Sequence, residues 1–234
     1  GNWDMYGGIY RDARLVITDR LHIPFQGSAD SEGGTFVTTP VVSAEMAKVR
    51  VRTYVRNERD RAAVVTLRTT ILDATDEIVV DMKTMQQVSP GELALFDQLS
   101  EPIIEPHLWS PESPYLYQAQ TLVIAATEGG ISQRVDHWTS PLGFRWFRWD
   151  YDQKRLYLND QPVHIHGTNR HQEYPWLGDA IPKWMHVSDL HDIRFDLGHN
   201  FIRGCHYSQD PLFYALCDRY GILCCEEVPN IKNI

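Results

Sequence analysis

The chain has 234 residues, 43% of them hydrophobic, and a formal net charge of −9. That apolar share supports a sizeable core and excludes a disordered chain. The acidic balance argues against nucleic-acid or anionic-membrane partners, which select a basic face. Charge is spread through residues 1–20 and no long apolar run follows, so neither a signal peptide nor a membrane span is expected. The first residues read as the continuation of a longer chain, which leaves localisation open. Seven Trp and eleven Tyr supply rings of the kind that line carbohydrate sites, and that ordinary cores also use.

A Gly7-Gly8 turn opens the chain, and residues 13–18 then alternate weakly as a strand. One strand cannot make a domain, so residues 1–22 are expected to end a sheet whose other strands lie elsewhere. From 35 to 139 the pattern is all β, with candidate strands over 36–42, 47–57, 62–73, 78–88, 92–99, 115–127 and 131–138. Within 48–56, Val49, Val51, Thr53 and Val55 share the inner face and the basic residues lie outside. Turn residues at 57–61, 73–77, 89–91 and 129–130 recur at the spacing of an immunoglobulin-like sandwich, although no cysteine pair marks an antibody-type domain. Asn57-Glu58 is expected to be a solvated turn without chemistry.

Pro141-Leu142-Gly143 reads as a hinge into a third region, 140–234. Residues 144–150 carry aromatics at alternate positions, and Asn159-Asp160 makes a turn. Val163, Ile165 and Gly167 alternate with His164, His166 and Thr168, which predicts a strand running into Asn169, Arg170 and His171. A helix follows, with Ser188 as N-cap, Leu190, Ile193 and Leu197 on its apolar face, and Gly198 as its stop. Residues 201–205 form a second strand, delivering Arg203, His206 and Tyr207. Asp210-Pro211 starts a second helix with Leu212, Phe213, Leu216 and Tyr220 apolar, and Gly221 ends it. The apolar run 222–225 predicts a parallel strand buried on both faces, with Glu226 and Glu227 at its C-terminal end. None of the four cysteines forms a CxxC pair, so no structural zinc site is expected and all four read as small buried residues. The fold class is therefore multidomain: an all-β immunoglobulin-like sandwich followed by the first β/α units of a (β/α)8 TIM barrel. Such a barrel builds its site at the strand C-termini.

Asn200-Phe201-Ile202-Arg203-Gly204-Cys205-His206-Tyr207, with Asp218-Arg219-Tyr220-Gly221 after it, resembles the signature of glycoside hydrolase family 2, the β-galactosidase and β-glucuronidase group. Gly167-Thr168-Asn169-Arg170-His171 is similar to that family's Gly-Val-Asn-Arg-His segment. Tyr6-Gly7-Gly8-Ile9-Tyr10-Arg11-Asp12 resembles the end of its sugar-binding jelly-roll domain. The sequence departs from the pattern at Gly204 and Ser208, where the family more often has a small polar residue and a proline. It departs again at His164 and His166, where an apolar residue and an arginine are common.

The resemblance implies hydrolysis of a terminal β-linked sugar with retention, β-galactosides leading over glucuronides and mannosides. Such chemistry needs an acid/base and a nucleophilic carboxylate about 5–5.5 Å apart. In the family both glutamates come from later barrel strands, and the matching positions fall beyond Ile234. Glu226 and Glu227 are read as support for the site instead. By the same resemblance His171 and His206 contact the sugar ring, and Arg203 steadies the nucleophile. Asn169 and Arg170 shape the pocket floor, with Tyr207 beside them. No cofactor is expected, a divalent or monovalent cation in a longer parent being left open, and partners are a β-glycoside and, left open, further copies of the chain. Two other readings stand beside this one. The His164-x-His166 spacing would suit a metal-dependent amidohydrolase-like barrel, and the sandwich would suit a non-catalytic carbohydrate-binding or scaffold module.

Overall fold

The computed structural model describes residues 8–25, 32–126 and 130–228. These fall into two compact units: Val16–Leu108 with Tyr115–Trp146, and described residues 8–15 with Trp109–Pro114 and 147–228.

The first unit is the sandwich. One sheet is built on β3 (Met46–Asn57), which pairs antiparallel with β1 (Leu21–His22), β2 (Thr35–Val42), β6 (Leu93–Leu99) and β7 (Ile103–Ile104). The other runs in the order β5 (Ile78–Val88), β4 (Ala63–Leu72), β8 (Tyr117–Ala126), β9 (Ser132–Leu142). The alternation of β3 holds, with Val49, Val51, Thr53 and Val55 all fully buried. The three valines join Val65, Leu67, Ile71 and Val123 of the facing sheet in two apolar clusters. A polar link crosses the interior where Thr69 Oγ1 donates to Gln98 Oε1 at 2.7 Å. Gln98 Nε2 in turn donates to the Leu67 carbonyl at 3.2 Å, so the buried amide is satisfied.

Three expectations for this stretch are corrected. Residues 13–18 form no strand, and Leu15 and Ile17 are almost fully exposed; the pairing strand is β1, which docks on the end of β3. Asn57 is not solvated. Its Nδ2 donates to the carbonyls of Arg61 and Val88 and its Oδ1 accepts from the Arg59 amide, so it ties the turn to the neighbouring strand. Pro141 and Leu142 are not a hinge but the last residues of β9, paired with β8.

The second unit begins with a small antiparallel sheet, β10 (Phe147–Asp150), β11 (Arg155–Leu158) and β12 (Gln161–Val163). Asn159 and Asp160, with φ of 50° and 60°, form the two-residue turn between β11 and β12. Both lie in the left-handed region that a primed hairpin turn needs and that Asn and Asp tolerate. A parallel sheet follows in the order β13 (Gly167–Arg170), β14 (Phe201–Gly204), β15 (Leu223–Glu226). Helix α1 (Lys183–His191), a π-helical turn (Asp192–Asp196) and helix α2 (Pro211–Tyr220) connect the strands. Leu190, Ile202, Phe213, Leu216, Cys217 and Ile222 form the core between sheet and helices.

Helix α2 matches its sequence reading at both ends. The Asp210 carboxylate caps it by accepting from the Leu212 amide at 2.8 Å, and Gly221 ends it at φ +71°. Helix α1 does not. It starts after Pro182, five residues before Ser188, which lies inside the helix. The π-helical turn then shifts the side-chain register, so Leu190 is buried while Leu197 is exposed. The strand read from Val163 is also interrupted. His164 to His166 lie between β12 and β13, where the Asn200 side chain accepts from the His166 amide and donates to the His164 carbonyl, both at 2.9 Å. Of the cysteines, Cys205 and Cys217 are buried, Cys224 is half-buried and Cys225 is exposed. The run 222–225 is therefore covered on its helix side and open on the other.

Candidate functional site at the strand ends

Parallel pairing sets the site. Asn169, Arg203 and Cys225 stand side by side across β13, β14 and β15, and Arg170, Gly204 and Glu226 form the next row. Successive strand residues point to opposite faces. Asn169 and Arg203 line a groove of about 460 Å³ with Ile165, Gly167, Thr168 and Phe201. His171, His206 with Tyr207, and Glu227 come just past the three strand ends.

Arg203, His206 and Glu227 form one charged cluster. The Arg203 Nε donates to Glu227 Oε1, and His206 Nδ1 lies 2.8 Å from Glu227 Oε2. Arg203 Nη2 lies 3.4 Å from the same His206 nitrogen. One ring nitrogen cannot donate to a carboxylate and accept from a guanidinium at once. The shorter contact decides: Nδ1–H donates to Glu227. The hydrogen bond from His206, then the Arg203 pairing, hold the Glu227 carboxyl below the usual carboxylate range. The His206 ring meets His171 edge to face at 5.3 Å between centroids, and His171 meets Tyr207 at 6.2 Å. A cis peptide bond joins Cys205 to His206. Tyr207 donates to Asp179 Oδ1 at 3.4 Å, and burial pushes its phenol up.

Arg170 does not reach the groove. Its side chain is almost fully buried on the helix side, paired with Asp189 of α1 at 2.8 and 3.0 Å. It also donates to Gln209 Oε1 at 3.1 Å and lies 3.2 Å from His186 Nδ1. Tyr174 donates to the same Asp189 carboxylate. Arg170 thus anchors β13 to its helices from behind, and only Asn169 of the pair is on the open face. Gln172 and Gln209, both buried, were not legible as contributors. Gln172 Oε1 accepts from the Asp210 amide at 3.0 Å, and Gln209 Nε2 donates to the Tyr207 carbonyl at 3.1 Å. Glutamine carries no periodic or capping signal that would have marked them.

His164 and His166 stack edge to face at 4.3 Å. Among the described residues, the groups of three or more metal-type ligands are His171, Cys205 and His206, and the exposed His191, Asp192 and Asp196. Neither includes His164 or His166, so among the described residues the pair is not joined by a third ligand within 4.8 Å.

The family profile described as "Glycosyl hydrolases family 2" matches residues 33–145, and that described as "Glycosyl hydrolases family 2, TIM barrel domain" matches residues 150–232. The chain belongs to glycosyl hydrolase family 2. A beta-glucuronidase of Bacteroides fragilis is 35% identical over 99% of this family 2 chain, and the match covers 32% of the relative. A beta-galactosidase of Thermoanaerobacter pseudethanolicus is 30% identical over 98% of it, covering 28% of the relative. The crystal structure of a Bacteroides uniformis beta-glucuronidase superposes with a TM-score of 0.82 at 31% identity, over 91% of this chain and 24% of that one. The family 2 chain thus spans about a third or less of the length of these relatives. Its immunoglobulin-like sandwich followed by the start of a TIM barrel is the family 2 arrangement.

Proposed function

We propose that this chain is the central part of a retaining β-glycosidase, with residues 1–22 closing a preceding jelly-roll domain. The observation that carries the proposal is the convergence of His171, Arg203, His206 and Glu227 at the C-terminal ends of three parallel strands. TIM-barrel enzymes assemble their chemistry at that end. His171 and His206 supply directional donors and acceptors for sugar hydroxyls. Arg203 and Glu227 orient His206 and prepare the cleft for a carboxylate nucleophile brought by a later strand.

A β-galactoside is the first substrate to test. Of those four side chains, the one fixed cation is Arg203, and it is already paired with Glu227, which suits a neutral sugar. A β-glucuronide is the second reading, supported by the 35% identity to a beta-glucuronidase. The 234-residue chain by itself is proposed to hydrolyse nothing, because a retaining mechanism needs two carboxylates flanking the glycosidic bond. Glu226 and Glu227 do not flank one: they are adjacent on one strand end, and Glu227 is committed to Arg203 and His206.

The test uses chromogenic β-galactoside, β-glucuronide and β-mannoside. A longer protein carrying this chain is expected to cleave the galactoside with retention, and the purified 234-residue chain to cleave none. Turnover by the chain alone that disappears in Glu226→Gln or Glu227→Gln would move the active site into these residues and overturn the reading.

A further inference from the structure

We propose that His171, Cys205 and His206 form a site for a borderline-soft divalent metal ion of the zinc class. Their ligand atoms all lie within 4.8 Å of one another. The two imidazoles and the thiol are the donor set that zinc selects, with Zn–N near 2.0–2.1 Å and Zn–S near 2.3 Å. A tetrahedral ion with those bond lengths places two nitrogens and one sulfur roughly 3.3–3.6 Å apart. Closing the cluster on an ion thus takes side-chain movement of about an ångström.

Two features make this more than proximity. Parallel pairing of β13 with β14, continued by the Cys205 amide donating to the Arg170 carbonyl at 3.0 Å, holds His171 beside the Cys205-His206 pair, so donors far apart in sequence meet just past two paired strand ends. Glu227 then takes His206 Nδ1–H at 2.8 Å. A carboxylate on one ring nitrogen fixes the tautomer, raises the basicity of the other nitrogen and orients it as a metal ligand. On binding, the Cys205 thiol loses its proton to the buffer as the sulfur–metal bond forms, and each histidine gives a neutral ring nitrogen. Three protein ligands leave the fourth position open.

The consequence for activity rests on the proposed sugar-binding role of His171 and His206, because metal and sugar would compete for the same imidazoles. The binding itself does not rest on it. Co²⁺ titrated into the 234-residue chain is expected to bind at one equivalent, with thiolate-to-cobalt charge transfer in the near ultraviolet, and to be displaced by Zn²⁺. Cys205→Ser should lose that band and Cys225→Ser should keep it. Glu227→Gln should weaken binding about 10- to 100-fold. His171→Gln, checked for native circular dichroism, gives a second ligand test should Cys205→Ser fail to fold, and it too should lose one-equivalent binding. No thiolate band in the unsubstituted chain, or one that survives Cys205→Ser, would overturn the site. In the longer enzyme Zn²⁺ should inhibit competitively with the glycoside. Binding without inhibition would uphold the metal site and count against the sugar-binding role.

Discussion

His206 and Glu227, 21 residues apart in sequence, meet at 2.8 Å between Nδ1 and Oε2. The contact, reinforced by Arg203, ties the ends of two parallel strands and lowers the Glu227 carboxyl from its ordinary value of 4.5. A carboxyl depressed in the folded state contributes stability that is fully present above its unfolded value and is lost as pH falls through the folded one. Denaturation followed from neutral to acid pH should therefore show the original protein more stable than Glu227→Gln near neutrality. The two should converge once pH drops well below 4.5. A gap that widens on acidification would contradict the pairing.

Arg170 and Asp189 form the ion pair that holds β13 to α1 from the buried side. Removing the cation leaves a poorly solvated carboxylate without its partner, a change that costs about 3–5 kcal/mol in buried pairs. Arg170→Met should destabilise the second unit by that order, and adding Asp189→Asn should recover part of the loss. Hydrogen exchange locates the effect. Faster exchange in α1, α2 and β13–β15 with the sandwich amides unchanged is the expected result, and equal loss in both units would refute it.

Gly221 ends α2 in the left-handed region, and a Cβ built there would collide with the Pro111 carbonyl. A left-handed backbone costs an L-residue about 1–2 kcal/mol before any collision. Gly221→Ala should therefore lower stability by more than about 1 kcal/mol. Gly91→Ala, also at positive φ but with open space around it, should cost only the backbone part. Urea midpoints of the two variants check this, and equal losses would show that the Pro111 contact is not made.

In a longer, active protein carrying this chain, His206→Ala should remove a hydrogen bond to a sugar hydroxyl. Such a loss to an uncharged partner costs on the order of 1–3 kcal/mol, a fall of about ten- to a hundredfold in the rate constant. Steady-state kinetics on the preferred chromogenic glycoside reads it directly. An unchanged rate would reduce His206 to a support for Glu227.

What the sequence determined by itself are features whose physics is local. The alternation of Val49, Val51, Thr53 and Val55 needs only the two-residue period of a strand to choose its buried face. The Asn159-Asp160 turn needs only residues that tolerate positive φ, and α2 is bounded by a cap two residues from its amide and a glycine at its end. The strand-end residues His171, Arg203 and His206 were legible through the family signature and the same local pattern. Tertiary structure decided the rest. Asn57 is buried because its amide reaches Val88, 31 residues away. Leu197 is exposed because a π-helical turn alters the register of its helix. Arg170 faces the helices while Asn169 faces the groove, and Glu227 closes on Arg203 and His206, because the parallel register sets those neighbours. That register depends on which strands pair and where, through contacts distant in sequence that no local period encodes.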